Sequence, residues 1–387
     1  RYWPERLYNH DAEDPDGNVL LGKTESGEEV EINRRAVESD LLIYVNINLV
    51  TMDGGHKSVP VGLGTYKSVR HHHNVGTLMT SRSYMDPATS SFHRSCDRMG
   101  AVVAEHVKIF TIETTLNSDT FSHALGFLQK REAQWSLFDK LNFQANRTAL
   151  GLMPPPLRRA VYQGLCAPYA VTGINAGMTD PVHARTIEAC HRQQLIDVDG
   201  QADIMLVGLP SIGPYSVYSI LNPILVYCMA AGYFFNFYKG KPLVRKGGVM
   251  IVVHPLEYRF HRGHHPSYID FFEEVLTETR DPLEMERRFE KEYAQSERYI
   301  HLYRTSYAYH GVHPFYMWYW GCHGMDHLGR IITVNPTSVE AARRIGFAPV
   351  PSLRAAIEQA KEFLKMPGDQ AQITYFHCPP VLMCRVH

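Results

Sequence analysis

The sequence predicts an α/β protein made of two α/β domains with mainly parallel sheets. Strands alternate with helices along the chain, which is typical of parallel sheets connected by helices. The 387 residues suffice for two domains, at roughly 100–200 residues per domain. Apolar residues make up 44% of the chain, as in ordinary globular proteins. We therefore expect ligands to bind beyond the carboxyl ends of strands, at the interface between the domains.

The first half of the chain begins with polar, acidic residues over 9–31, which predict short strands or a loop. Residues 40–50 predict a buried strand, because a continuous apolar run is followed by apolar residues alternating with Asn46 and Asn48. A glycine turn follows at residues 53–55. The next predicted elements are a short helix from a Thr65 cap to His73, a helix over 91–105, a strand over 107–114 and a helix over 124–141.

Residues 151–197 contain three consecutive prolines and predict a linker or insertion. The boundary expected near 195–200 divides the chain into a first domain over 1–198 and a second over 199–387. In the second domain, the sequence predicts strands over 202–209, 248–254 and 330–334, and helices over 215–233, 266–276, 282–303, 338–345 and 353–364.

Composition excludes several classes of function. The net charge is −1, and nucleic-acid and anionic-membrane binders need a basic surplus, so we expect neither partner. The most apolar run, residues 220–235, is interrupted and too short to span a bilayer. Seven cysteines without CxxC pairs favour a reducing, cytoplasmic compartment. The chain opens at Arg1 without a methionine, so we expect residues before it, and oligomerisation stays open.

The segment from Asp53 to Asn74 carries the most information about chemistry. It follows a predicted strand, and its glycines allow positive φ and close approach of the backbone to a bulky group. Lys57 emerges from the glycine turn, where a lysine near apolar strand ends can serve as a nucleophile or covalent anchor. His73 lies sixteen residues later, on a helix face that can meet the same pocket. A solvated lysine and a surface histidine run would produce the same pattern.

This segment resembles the lactate racemase family, whose enzymes carry a nickel pincer nucleotide. The resemblance rests on Gly54-Gly55-His56-Lys57-Ser58, Pro60, Gly62 and His73-Asn74. It implies that Lys57 binds the cofactor covalently, that Gly54, Gly55, Ser58 and Gly62 surround it, and that His73 ligates nickel. It further implies racemisation or epimerisation of a 2-hydroxy acid by hydride transfer, with a small-molecule substrate. Weaker sequence similarities to the family extend over most of the chain.

Departures from the family concern the catalytic groups. The family's N-terminal segment, with its nucleotide-binding motif and one catalytic base, has no counterpart in this sequence. Residues 46–52 provide no second base, and Asn222 stands where the family has a substrate-binding lysine. The nearest replacements are His264, in a loop that matches a family Gly-His pair, and Tyr218, which can reach a substrate carboxylate or equally pack in a helix core. A racemase of this type would therefore act on a substrate other than lactate, or need a residue from outside the chain.

Two other classes of function remain open at the level of sequence. One is a non-catalytic relative that binds a small molecule or a partner subunit. The other is a metal-dependent hydrolase that uses His261, His264 and His265, although the sequence supplies no further ligand at a fixed spacing. His93 and Asp97 are spaced as a structural pair on one helix face.

Overall fold

A computed structural model describes residues 6–117, 119, 121, 123–164, 168–211, 213, 215–216, 220–377 and 381–387. The described strands are β1 Asn18–Lys23, β2 Glu29–Asn33, β3 Leu42–Asn48, β4 Ile109–Leu116, β5 Val171–Gly177, β6 Leu195–Val198, β7 Ala202–Gly208, β8 Tyr238–Lys239, β9 Val244–Val253, β10 Arg330–Val334, β11 Ala348–Val350, β12 Ile373–Phe376 and β13 Met383–Val386.

The α-helices are α1 Arg34–Val37, α2 Ser58–Gly62, α3 Tyr66–His72, α4 Val75–Thr80, α5 Ser91–His106, α6 Leu137–Leu152, α7 Pro155–Gly164, α8 Thr179–Gln194, α9 Pro223–Tyr227, α10 Pro266–Asp270, α11 Leu276–Glu278, α12 Pro282–Met285, α13 Lys291–Ala294, α14 Glu297–Ser306, α15 His313–Tyr319, α16 Cys322–His327, α17 Val339–Arg344 and α18 Leu353–Leu364. Turns of π-helix at Cys228–Tyr233, Phe271–Val275 and Glu286–Glu290 continue α9, α10 and α12. None of the helices in the described ranges is long and apolar enough to cross a bilayer.

The predicted fold class is confirmed: the protein is α/β, with mainly parallel sheets. A five-stranded sheet in the order β11-β10-β9-β7-β12 is parallel throughout, and so is the three-stranded sheet β6-β13-β8. In the sheet β3-β4-β5, β3 and β4 are parallel and β5 is antiparallel. The centre of the large sheet is buried on both faces, as at Ile204, Val249 and Ile332, each fully buried, which explains its continuous apolar runs.

Strand β3 differs from the buried strand that the sequence predicts. Its apolar residues Ile43, Val45 and Ile47 are 55–65% exposed, whereas Asn48 is buried. The face of the sheet β3-β4-β5 that carries these apolar residues is open to solvent, since Phe110 and Ile174 on the same face are 38% and 66% exposed, and the polar face of β3 turns inward. Tyr44 donates to Asn46 (2.8 Å) and Asn46 donates to Asn48 (2.7 Å). This hydrogen-bonded row leads along β3 to the glycine turn.

Several predicted elements have different bounds. The helix predicted over 124–141 is replaced by two 3₁₀ segments and by α6, because Ser136 and Asp139 form a capping box that starts a helix at Leu137. The helix predicted from residue 215 begins only after Asn222, whose side chain accepts the Leu225 N–H. The helix predicted over 282–303 is interrupted between α13 and α14.

The segment over 151–197, predicted as a linker or insertion, has regular structure. It contains α7, β5 and α8, and β5 adds a hydrogen-bonded strand to β4 while α8 packs on the same sheet. The expected boundary near 195–200 stays a prediction. The described cysteines are free and buried: Cys96, Cys190, Cys228, Cys322 and Cys384.

Candidate functional site

The turn after β3 requires glycine at two of the predicted positions. Gly54 has φ 88° and Gly55 has φ 63°, the left-handed region that favours glycine. A Cβ on Gly54 would lie 2.5 Å from Asn48 Nδ2, and one on Gly55 would lie 2.7 Å from His183 Cδ2. Gly62, at the exposed end of α2, has neither a positive φ nor a close neighbour, so this structure gives no reason for glycine there.

A buried carboxylate that sequence reasoning missed supports this turn. Glu113 on β4 is fully buried; it accepts the Gly55 N–H (2.7 Å) and contacts His183 Nδ1 with both oxygens (3.2 Å). Burial acts to raise the pKa of Glu113, but the hydrogen bonds from His183 and Gly55 outweigh it and hold the pKa below its ordinary value. The signal in the sequence was a lone acid in the otherwise uncharged strand IFTIETTL.

Lys57 ends the 3₁₀ segment of the turn and is mostly buried, with its side chain 15% exposed. Its ammonium lies 3.8 Å from Asp53 Oδ1, and the other Asp53 oxygen accepts the backbone N–H groups of Leu49 and Val50. Ser58 is buried at the start of α2. The turn therefore holds the lysine against a fixed carboxylate, in a partly dehydrated position.

His73 follows α3 and is almost fully buried, at 7% exposure. Its Nδ1 lies 2.6 Å from His72 Nδ1, and its ring packs against Phe92, Tyr316 and Trp320 with centroids 5.2–5.4 Å apart. Burial lowers the pKa of His73 well below its ordinary value, with smaller contributions from the neighbouring charges of His72 and Lys57. The imidazole is therefore neutral and has a lone pair to offer, and a site shared by Lys57 and His73 stays a prediction.

Helix α5 passes beneath the glycine turn. A Cβ added to Gly100 would lie 2.6 Å from His56 Cβ, which shows how closely the helix approaches. His93 and Cys96 are buried on this helix. The predicted pairing of His93 with Asp97 is wrong, because both ring nitrogens of His93 are buried without a hydrogen-bond partner among the described residues and Asp97 is exposed. Burial lowers the pKa of His93 to about 3, with Lys57 adding to the effect.

Helix α15 brings a further histidine towards His73 from a distant part of the chain. His313 Nδ1 lies 2.5 Å from the Tyr268 hydroxyl, and its ring stacks on Tyr309 at 4.6 Å and meets the edge of Tyr215 at 4.7 Å. Burial lowers the pKa of His313 to about 3. His313 also contributes to the lowered pKa of His73.

The residues predicted in the second domain have separate placements. Tyr218 lies outside the described residues. His264 is partly exposed, with Nδ1 2.8 Å from the Tyr307 carbonyl. The neighbouring His265 is fully buried and contacts the Tyr215 carbonyl at 3.1 Å. Asn222 is buried as the cap of α9, so its side-chain oxygen is already engaged.

The histidines considered for a hydrolase do not converge. His261 and His264 lie with ring centroids 4.4 Å apart, whereas His265 meets His261 only edge-on at 6.5 Å and points towards Tyr215. Across the described part of the chain, no group of three or more His, Cys, Asp or Glu side chains is placed to hold a metal ion. A metal at His73 would therefore need ligands that the described side chains do not supply.

Residues 2–86 match the model of the lactate racemase N-terminal domain. The lactate racemase apoprotein from Thermoanaerobacterium thermosaccharolyticum superposes with a TM-score of 0.59 at 16% identity, over 97% of this chain and 70% of that one. A Thermotoga maritima structural genomics protein gives 0.50 at 14%, over 98% and 78%. No curated protein matches by sequence. The N-terminal match, which includes the Lys57 turn and His73, identifies residues 2–86 as similar to a lactate racemase N-terminal domain, and the structural match shows that the chain shares the fold of the lactate racemase apoprotein.

Proposed function

We propose that the protein is a 2-hydroxy acid racemase or epimerase that carries a nickel pincer nucleotide on Lys57, with His73 as a nickel ligand. One observation carries the proposal: helix α5 packs against the 3₁₀ segment that ends in the mostly buried Lys57 and, through Phe92, against the ring of the buried, neutral His73. Both residues occupy the positions that the family resemblance assigns to cofactor attachment and nickel ligation.

The residues around the turn fit such a group. His73 uses Nδ1 to contact His72, and no hydrogen bond to its Nε2 occurs among the described residues. If Nδ1 carries the proton and donates a hydrogen bond to His72, the lone pair of Nε2 is available, which is the usual arrangement for a metal-bound histidine. Nickel accepts imidazole and soft sulfur ligands. The buried Nε2 of His72, which has no hydrogen-bond partner among the described residues, would provide a further polar contact.

In this proposal the cofactor supplies a hydride acceptor when it is bound, and the chain supplies the proton transfer. A base must take the hydroxyl proton of the substrate, and a neutral histidine suits that role. His264 remains the proposed base, whereas His313 is unsuited to this role, because burial lowers its pKa to about 3, too low for a base that works near neutral pH. Tyr218 remains a proposed contact for the substrate carboxylate.

The proposed substrate is a 2-hydroxy acid larger than lactate. The Asn222 side-chain oxygen accepts the Leu225 N–H and its Nδ2 lies 3.5 Å from His265 Nδ1, so it does not offer the cationic clamp of the family. Charge-assisted hydrogen bonds are roughly twice as strong as neutral ones. A substrate with additional polar groups can regain elsewhere the binding energy lost at its carboxylate.

The test is to produce the protein together with the cofactor-synthesis enzymes, and to measure its intact mass, its nickel content and exchange at Cα. The substrates are L-lactate, larger 2-hydroxy acids and sugar acids. A lysine adduct, stoichiometric nickel and exchange with a larger acid would support the proposal. An adduct with no exchange on any substrate would favour a non-catalytic relative. Absence of both adduct and nickel would refute the proposal.

A further inference from the structure

His93 is the buried titratable group that the proposed function leaves without a role. It lies on α5, 4% exposed, with Phe92 against its ring at 5.2 Å. Neither Nδ1 nor Nε2 has a hydrogen-bond partner among the described residues. His72 differs, because its Nδ1 is engaged by His73 and only its Nε2 lacks a partner.

Such an arrangement is unfavourable for folding alone. A neutral imidazole always carries one N–H donor and one acceptor nitrogen, and burying either without a partner costs free energy that an apolar side chain of similar size would avoid. Buried groups of this kind in native proteins call for an explanation, such as a missing ligand. The fold indicates which ligand that is, because the helix α5 that carries His93 packs against the 3₁₀ segment Gly55–Lys57, with a Cβ on Gly100 only 2.6 Å from His56 Cβ.

We propose that His93 hydrogen-bonds the group attached to Lys57, as a binding residue distinct from the nickel ligand His73. This inference rests on the proposed function. The group it recognises is a planar amide or thioamide formed at the lysine nitrogen, whose oxygen or sulfur accepts the imidazole N–H. His93 therefore selects for the attached form of the cofactor and contributes nothing to the stability of the unloaded protein.

The experiment compares His93→Leu and His93→Gln with His106→Leu, a control on the same helix whose histidine is exposed. Each protein is measured unloaded, by its thermal unfolding midpoint, and after production with the cofactor-synthesis enzymes, by intact mass and visible absorbance. We expect His93→Leu to retain or raise the unloaded midpoint and to lower the fraction carrying the adduct by about tenfold, the effect of one lost hydrogen bond. His93→Gln, which keeps a donor, should load at an intermediate level, and the control should match the wild type.

Three outcomes would contradict the inference in distinguishable ways. If unloaded His93→Leu has a lower thermal unfolding midpoint than the wild type but the same adduct fraction and absorbance, His93 is a residue of the core only. If His93→Leu fails to fold, wild-type loading and absorbance of His93→Gln would refute the role equally. Absence of an adduct on the wild-type protein would refute the proposed function itself, and this inference with it.

Discussion

Replacing Glu290 with glutamine should stabilise the protein at alkaline pH. Glu290 is 3% exposed and accepts hydrogen bonds from the hydroxyls of Tyr66 (3.1 Å) and Tyr319 (3.0 Å). Burial raises the pKa of Glu290 to about 7; the nearby Glu286 adds to this, and the two hydrogen bonds and Arg70 oppose it. Its carboxyl group is therefore still protonated in the folded protein at a pH where the unfolded chain has already released the proton.

The sign and size of the effect follow from linkage. Between the ordinary pKa of 4.5 and about 7, the folded state binds more protons than the unfolded state, so the free energy of unfolding falls as pH rises. At 1.36 kcal/mol per pKa unit, the whole interval corresponds to at most about 3 kcal/mol. Glutamine stays neutral at every pH, and its amide can both donate to and accept from the two tyrosine hydroxyls, so Glu290→Gln avoids this loss.

The assay is urea unfolding of the wild type and of Glu290→Gln at pH 4.5 and at pH 8. The variant should be the more stable protein at pH 8, by up to about 3 kcal/mol, and should match the wild type at pH 4.5. Glu292→Gln, an exposed neighbour on α13, is the control and should show no pH-dependent difference. An equal difference between variant and wild type at both pH values would refute the reasoning, because it would show that Glu290 has the same pKa folded and unfolded.

Three further predictions concern the glycine turn and its neighbours. Lys57→Ala should abolish the adduct in intact-mass spectra while costing less than about 1 kcal/mol in urea unfolding, because a lysine ion pair at 3.8 Å stabilises little; an adduct on the variant would contradict the anchoring role. His73→Ala should lower nickel content after dialysis but leave the organic adduct, and unchanged nickel would point to His71 or His72. Glu113→Gln should destabilise the protein by about 1.5–3 kcal/mol at pH 7. Since the pKa of Glu113 is lowered on folding, this difference should shrink as pH falls below 4.5, and a constant difference would contradict it.

The local part of the candidate site could be predicted from sequence. Gly54 and Gly55 have the positive φ that a tight turn demands, and Lys57 and His73 are separated by short elements whose signals lie within a few residues. Periodicity and turn residues report on such short-range geometry directly. For the same reason the helix-end position of His73 was predicted correctly.

The surroundings of these residues could not be predicted, because they depend on tertiary contacts. Glu113 reaches the turn from a neighbouring strand, and Tyr316 and Trp320 reach the ring of His73 from the other half of the chain. No spacing rule connects residues so far apart. The burial of strand β3 was also predicted wrongly. Alternation of apolar and polar residues shows that a strand has two different faces, but it does not show which face is buried, and in β3 the apolar face is exposed, with Val45 65% exposed.

The position of His73 is therefore a property of the whole fold rather than of its motif. Helix α3 has seven residues, and an isolated helix shorter than about 12–15 residues is marginal in water. Its first residue, Tyr66, donates to Glu290, and His73 beyond its last residue packs on Tyr316 and Trp320. Both ends of α3 are thus held by residues more than 200 positions away in the sequence. Orientation of the proposed nickel ligand depends on these contacts, so a chain with the same motif but without them would not hold the histidine in this buried position.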